Sequence, residues 1–109
     1  MKDKFLRFLA IAKKAGMLVE GYNNCEIAIK KGNAFLVVIA NELSPNSKKK
    51  IERYCKDNIE LIEGISEYDM NLYLGSNGVK VICIKDRNFS NNLLDLWKKT
   101  KLNINFGGE

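Results

Sequence analysis

Two hydrophobic periods alternate along the chain. Between residues 3 and 15, Phe5, Phe8, Leu9 and Ala12 recur at helical spacing, which predicts a helix with one apolar stripe and leaves Lys4, Arg7 and Lys14 off it. Gly16 stops this helix, and residues 17–20 form an extended connector into Gly21. A short second helix follows and ends at Gly32, with Cys25, Ala28 and Ile29 on its inner face. Asn23, Asn24, Ile27, Lys30 and Lys31 share the opposite face. Asn23 or Asn24 can cap the helix, and Glu26 stands three residues after Asn23 as in an asparagine version of a capping box. Ile27, apolar among lysines and asparagines, either borders the core or is offered for contact.

Residues 34–40 abandon the helical period for an uninterrupted apolar run, which predicts a central strand covered on both faces. Ser44 and Pro45 open the next helix as cap and first-turn residue, with Ile51, Tyr54 and Cys55 pointing inward. Lys48, Lys49 and Lys50 occupy its first turns, against the helix dipole. A short strand is expected over 59–63, with Gly64 as a turn. Ser66 and Asp69 then box the start of a short helix that Gly75 closes. Ser76, Asn77 and Gly78 form a compact polar loop into a strand over 79–85. After Asp86 a last helix carries Phe89, Leu93, Leu96, Trp97 and Thr100 on one stripe, and residues 103–109 are read as a flexible tail. Helices alternating with short apolar strands predict an α/β/α sandwich, one domain over residues 1–102.

Charge sharpens this picture. The 109 residues carry 18 basic and 13 acidic side chains, a formal +5. Residues 1–58 hold 12 basic against 6 acidic, and the remainder 6 against 7, so the surplus lies in the half that contains the Gly21 turn. That asymmetry suits a polyanion-binding face, or a basic surface kept for solubility. The N-terminal apolar run is broken at Arg7 and ends at Lys13, too short for a signal or a membrane span. Cys25, Cys55 and Cys83 are scattered among apolar neighbours and no histidine exists, so no metal site is expected and a reducing cytoplasm is.

Enzyme chemistry finds no constellation. The commonest general base is absent, and no phosphate-binding glycine motif or nucleophile elbow occurs. Cys25 lies on a core face without a base, which argues against a nucleophile. No cofactor is implied. Two Gly/Asn loops, at Gly21 to Asn24 and at Ser76 to Gly78, instead offer backbone N–H groups at close approach, with Lys30, Lys31 and Lys80 after them. Tyr22 is the single aromatic residue at such a position, so recognition of folded RNA by shape fits better than base stacking along a single strand.

The order Gly21-Tyr22-Asn23, Ala28-Ile29-Lys30-Lys31-Gly32 and then the 34–41 run resembles the ribosomal L-seven-Ae/L-thirty-e family of kink-turn RNA-binding proteins. The opening Phe8-Leu9 through Ala15-Gly16, Leu18 and Gly21, with the 47–55 stretch, looks like its bacterial YlxQ-type branch. The resemblance spans about residues 4–98 and implies a three-layer fold with a small mixed four-stranded sheet. It also implies a turn that reads sheared G·A pairs, here Gly21, Asn23 and Asn24, and a loop that cradles an extruded nucleotide, here Ser76, Asn77, Gly78 and Val79. Asn41 and Glu42 match a third contact region. Asn24 stands where strong binders have glutamate, Ile27 where they have lysine, and Met70-Asn71 where Leu-Gly is usual. Lys30 and Lys31 are placed to compensate for the missing lysine. The expected protein is a cytoplasmic monomer that binds structured RNA without catalysis, with the ribosome or translation factors as further partners. The alternative is an assembly factor that kept the fold and lost tight kink-turn binding.

Overall fold

The computed structural model describes residues 2–105. Nine elements follow in order: α1 (Lys2–Lys14), β1 (Leu18–Glu20), α2 (Tyr22–Lys30), β2 (Leu36–Ala40), α3 (Pro45–Cys55), β3 (Glu60–Ile65), α4 (Glu67–Leu74), β4 (Val81–Ile84) and α5 (Arg87–Asn105). They build one mixed sheet of order β1-β4-β2-β3, with β4 antiparallel to both neighbours and β2 parallel to β3.

The apolar run of β2 is continuous because both its faces are covered. Leu36, Val38 and Ala40 join Ile82 and Ile84 in a core under α1, α4 and α5, whereas Val37 and Ile39 join Val81 and Cys83 under α2 and α3. The expected three layers and mixed four-stranded sheet are therefore present. Residues 17–20 are more than a connector: Leu18 to Glu20 pair with Ile84 to Ile82 as an edge strand. Leu18 packs into one core and Val19 into the other, as strand alternation requires.

Gly64 is not a turn. It lies inside β3, where Val38 faces Ile62 but Ala40 faces Ile65, so β3 carries one extra residue. Its φ of 113° suits glycine alone, and the Trp97 ring of α5 lies 3.4 Å from where a Cβ would stand. The starts of α3 and α4 and the end of α4 match the sequence. Ser44 Oγ accepts from the Ser47 N–H, Ser66 Oγ accepts from the Asp69 N–H, and Gly75 closes α4 in the left-handed region. α5 runs on to Asn105; the rest of the expected tail lies outside the described residues.

Candidate nucleic-acid interface

Sheet direction decides where the candidate residues meet. β1, β2 and β3 run the same way and β4 runs against them, so three strand C-termini and the start of β4 share one edge. α2, α3 and α4 all begin there. Their first turns hold backbone N–H groups without an intrahelical acceptor, some of them capped by side chains, and the three ends are not equivalent. α4 carries Glu67 and Asp69 in its first turn, and a Glu42 oxygen accepts from the Glu67 N–H at 2.7 Å. α2 and α3 have no acidic residue in theirs. The side of the edge open to an anion is thus the α2–α3 side.

Gly21 ties the first loop to the second. Its N–H donates to the Val81 carbonyl at 2.8 Å, and its carbonyl accepts from Cys25 N–H at 2.9 Å to start α2. Gly21 is itself the N-cap, with φ 99° and ψ 148° and no side-chain cap bond. The expected asparagine cap is therefore absent, because a glycine anchored to β4 already sets the helix start. Asn23 is exposed with no side-chain hydrogen bond among the described residues, and Asn24 gives its side-chain amide to the Glu20 carbonyl at 3.1 Å. Glu26 closes no capping box either. It accepts from Lys30 at 3.0 Å and from the Tyr54 hydroxyl at 2.9 Å, and these bonds hold its carboxyl below the usual range. Ile27 is 52% exposed on the outward face, which removes the core alternative.

The second loop is clamped from both sides by residues the sequence reading did not single out. Ser76 Oγ donates to the Glu20 carboxylate and accepts from Lys13 Nζ at 2.9 Å, and Lys13 also reaches the Leu74 carbonyl at 2.8 Å. At the other end the Asn71 amide donates to the Val79 carbonyl at 2.8 Å and accepts the Val79 N–H at 2.9 Å. Between these anchors Asn77 and Gly78 are exposed. The Ser76 hydroxyl is spent inside the protein and its N–H donates to the Asn71 carbonyl at 3.0 Å, which leaves Asn77 and Gly78 as the residues of this loop turned to a ligand. Asn71 had one signal in the sequence, its departure from the usual Leu-Gly; Lys13 and Glu20 had none, since their meeting with Ser76 is purely tertiary.

Two concavities unite most of the candidate residues, with Gly78 in both. A hollow of about 240 Å³ lies between Gly21 and Tyr22, Leu43 and Ser47, and residues 78–81; the Tyr22 hydroxyl is buried without a hydrogen-bond partner among the described residues. A wider groove of about 670 Å³ joins Glu42 to residues 75–78 along Glu67, Tyr68, Asn71 and Leu72. Tyr68 and Leu72, 73% and 60% exposed one helical turn apart, also went unremarked in the sequence. Asn41 is exposed beside Glu42, its N–H held by Ile65 O at 2.8 Å. Lys80 sits 3.8 Å from Glu67. Lys30 and Lys31 are not brought to the edge. They end α2, and Lys30 is engaged with Glu26 and lies 4.8 Å over the Tyr54 ring, so it does not stand in for a lysine at position 27.

Cys25 is fully buried, and its contact with Cys83 together with burial raises its pKa, so it remains a thiol. No group of three or more metal-ligating side chains occurs among the described residues.

A family model described as the ribosomal protein L7Ae/L30e/S12e/Gadd45 family matches residues 3–94. Among solved structures, a Bacillus halodurans protein of unknown function shares 26% identity at a TM-score of 0.81, covering 85% of this chain and 95% of its own. A Giardia lamblia protein described as a 15.5kD RNA binding protein shares 17% identity at a TM-score of 0.70, covering 83% and 78%, a likeness of fold. No curated protein matches the chain.

Proposed function

The chain belongs to the ribosomal protein L7Ae/L30e/S12e/Gadd45 family, and from that premise we propose that it is a non-catalytic, cytoplasmic protein that binds folded, kink-turn-like RNA as a monomer. The observation that carries the reading is the hydrogen bond from Gly21 to Val81, which seats the Gly21 turn against the 76–79 loop. A turn and a loop so joined offer backbone N–H groups and the free Asn23 amide to base edges, with an adjacent groove roomy enough for an unstacked nucleotide. Asn24 keeps an unbonded side-chain carbonyl that can accept from a guanine edge, without the charge of a glutamate. The RNA binding attributed to the Giardia neighbour is in keeping with this reading, and the Phe8 to Gly21 motif motivates placement in the YlxQ-type branch.

Titration of a kink-turn RNA and a matched duplex between about 50 and 200 mM salt tests it. Tighter binding to the kinked RNA at every salt is expected. Equal affinities that fall together would remove specific recognition.

A second reading, a protein-docking factor, draws on the exposed Tyr68 and Leu72 beside Glu42 and Glu67. Partners that survive ribonuclease and are lost on Leu72→Ser would favour it.

A further inference from the structure

The edge that would read a kink is short of free cations. Lys13 and Lys80 are held there by Glu20 at 2.9 Å and Glu67 at 3.8 Å, and Glu42 adds another carboxylate. Yet affinity for RNA comes mainly from phosphates meeting unpaired Lys and Arg. Such charge lies elsewhere, on the outer face of the α2–α3 layer. On α3, Lys49 and Arg53 stand one turn apart opposite the buried Ile51 and Cys55, and Lys50 flanks them toward Glu26 of α2. All three are exposed and without an ion pair among the described residues, as is Lys31 at the end of α2. Their neighbours are not free: Lys48 is bound to Glu63 at 2.8 Å and Lys30 to Glu26 at 3.0 Å.

α3 has no acidic residue in its first turn, whereas α4 gathers carboxylates at the same edge. The helix that carries the stripe also borders the candidate site, because Leu43 and Ser47 at its N-terminal end line the hollow beside Gly21. We propose that the outer face of α2 and α3 carries a duplex arm of the bound RNA through its phosphates, with Lys49, Lys50, Arg53 and Lys31 as the contacts. Sequence-independent grip and reading of the kink are then divided between face and edge. α3 is about 16 Å long, so the arm must extend several base pairs beyond the kink. The inference rests on the RNA-binding reading above.

The experiment compares the parent protein with K49Q/K50Q/R53Q and with the control K98Q/K99Q, whose exposed lysines lie on α5 in the opposite layer. Each is titrated with a kink-turn RNA, with the same RNA after either arm is trimmed, and with plain duplex, across salt. Glutamine is close to lysine and arginine in helix propensity, so circular dichroism melts are expected to coincide. The triple variant is expected to bind roughly ten- to a hundredfold more weakly at low salt, with its salt slope reduced by about 2 to 3 and its preference for kinked RNA kept. Trimming one arm should cause a similar loss in the parent and little in the variant. An unchanged slope, or equal losses in the control, overturns the inference while a surviving kink preference leaves the function intact. A parent that ignores the kink, together with a triple variant that loses slope on plain duplex, supports the face and removes the reading; a parent that binds no RNA removes both.

Discussion

At the scale of single residues, the structure separates groups that position the site from groups left free to bind. Asn23 belongs to the second kind: it caps nothing, so its removal has no structural penalty to confuse the result. Asn23→Ala is expected to leave stability within about 0.5 kcal/mol and to weaken binding to folded RNA by roughly 1–3 kcal/mol, as for a lost base-reading contact. Denaturant melts run beside the titration check both halves. Asn71 is of the first kind. Its amide satisfies both backbone groups of Val79 and the Glu67 carbonyl, so Asn71→Ala leaves a partly buried loop with open donors and acceptors. We expect a loss of about 1–3 kcal/mol in stability, faster amide exchange at Val79 than at Val81, and weaker RNA binding although Asn71 need not touch RNA. Unchanged exchange at Val79 would show that the loop holds its shape without this clamp.

At the scale of elements, what the sequence made legible were the features with local causes. The apolar period of α1, the doubly covered run of β2, the Ser44 and Ser66 caps and the Gly75 stop all follow from neighbouring residues, and all stand where expected. The failures came where a distant element decided the outcome. β1 exists because β4 supplies its partners. The α2 cap passed from asparagine to Gly21 because Val81 holds the Gly21 N–H, and Glu26 left the helix start for Tyr54, 28 residues away. Gly64 read as a turn because φ > 0 is a turn signal, yet the same φ serves a bulge that makes room for Trp97. Two independent effects therefore oppose a side chain there. Gly64→Ala is expected to destabilise the protein by roughly 1–3 kcal/mol through backbone strain alone, with further loss from displacing Trp97. A shift in Trp97 fluorescence together with a lowered melting temperature would report it; a neutral variant would mean that β3 can shed the bulge.

At the scale of the whole molecule, charge and protonation are arranged to stay constant near neutrality. The chain has no histidine, and its perturbed surface groups shift away from the middle of the pH range. Glu26 is held below its ordinary 4.5 by Lys30 and then by Tyr54; its contribution is present above that pH and is lost as pH falls through the depressed value. Lys30 and Lys48 are raised above 10.5 by their bonds to Glu26 and Glu63, so their contribution is present below 10.5 and is lost as pH rises through the raised values. Burial raises Cys55 to about 11. Stability and RNA affinity should therefore be flat between about pH 5.5 and 8.5, checked by melts and titrations at fixed ionic strength; a step near pH 6.5 would contradict this accounting.

In the proposed function, the Gly21 turn and the 76–79 loop, joined at Val81, form the surface that meets the fold of the RNA. Amide chemical-shift mapping with a kink-turn RNA tests it most directly. The largest changes are predicted at residues 21–24, at Asn41 and Glu42, and at residues 76–80, with smaller ones along α3 at residues 49–53. Changes concentrated at the opposite end of the sheet, around Phe35, Asn58 and Arg87, with the Gly21 turn and the 76–79 loop unmoved, would contradict it.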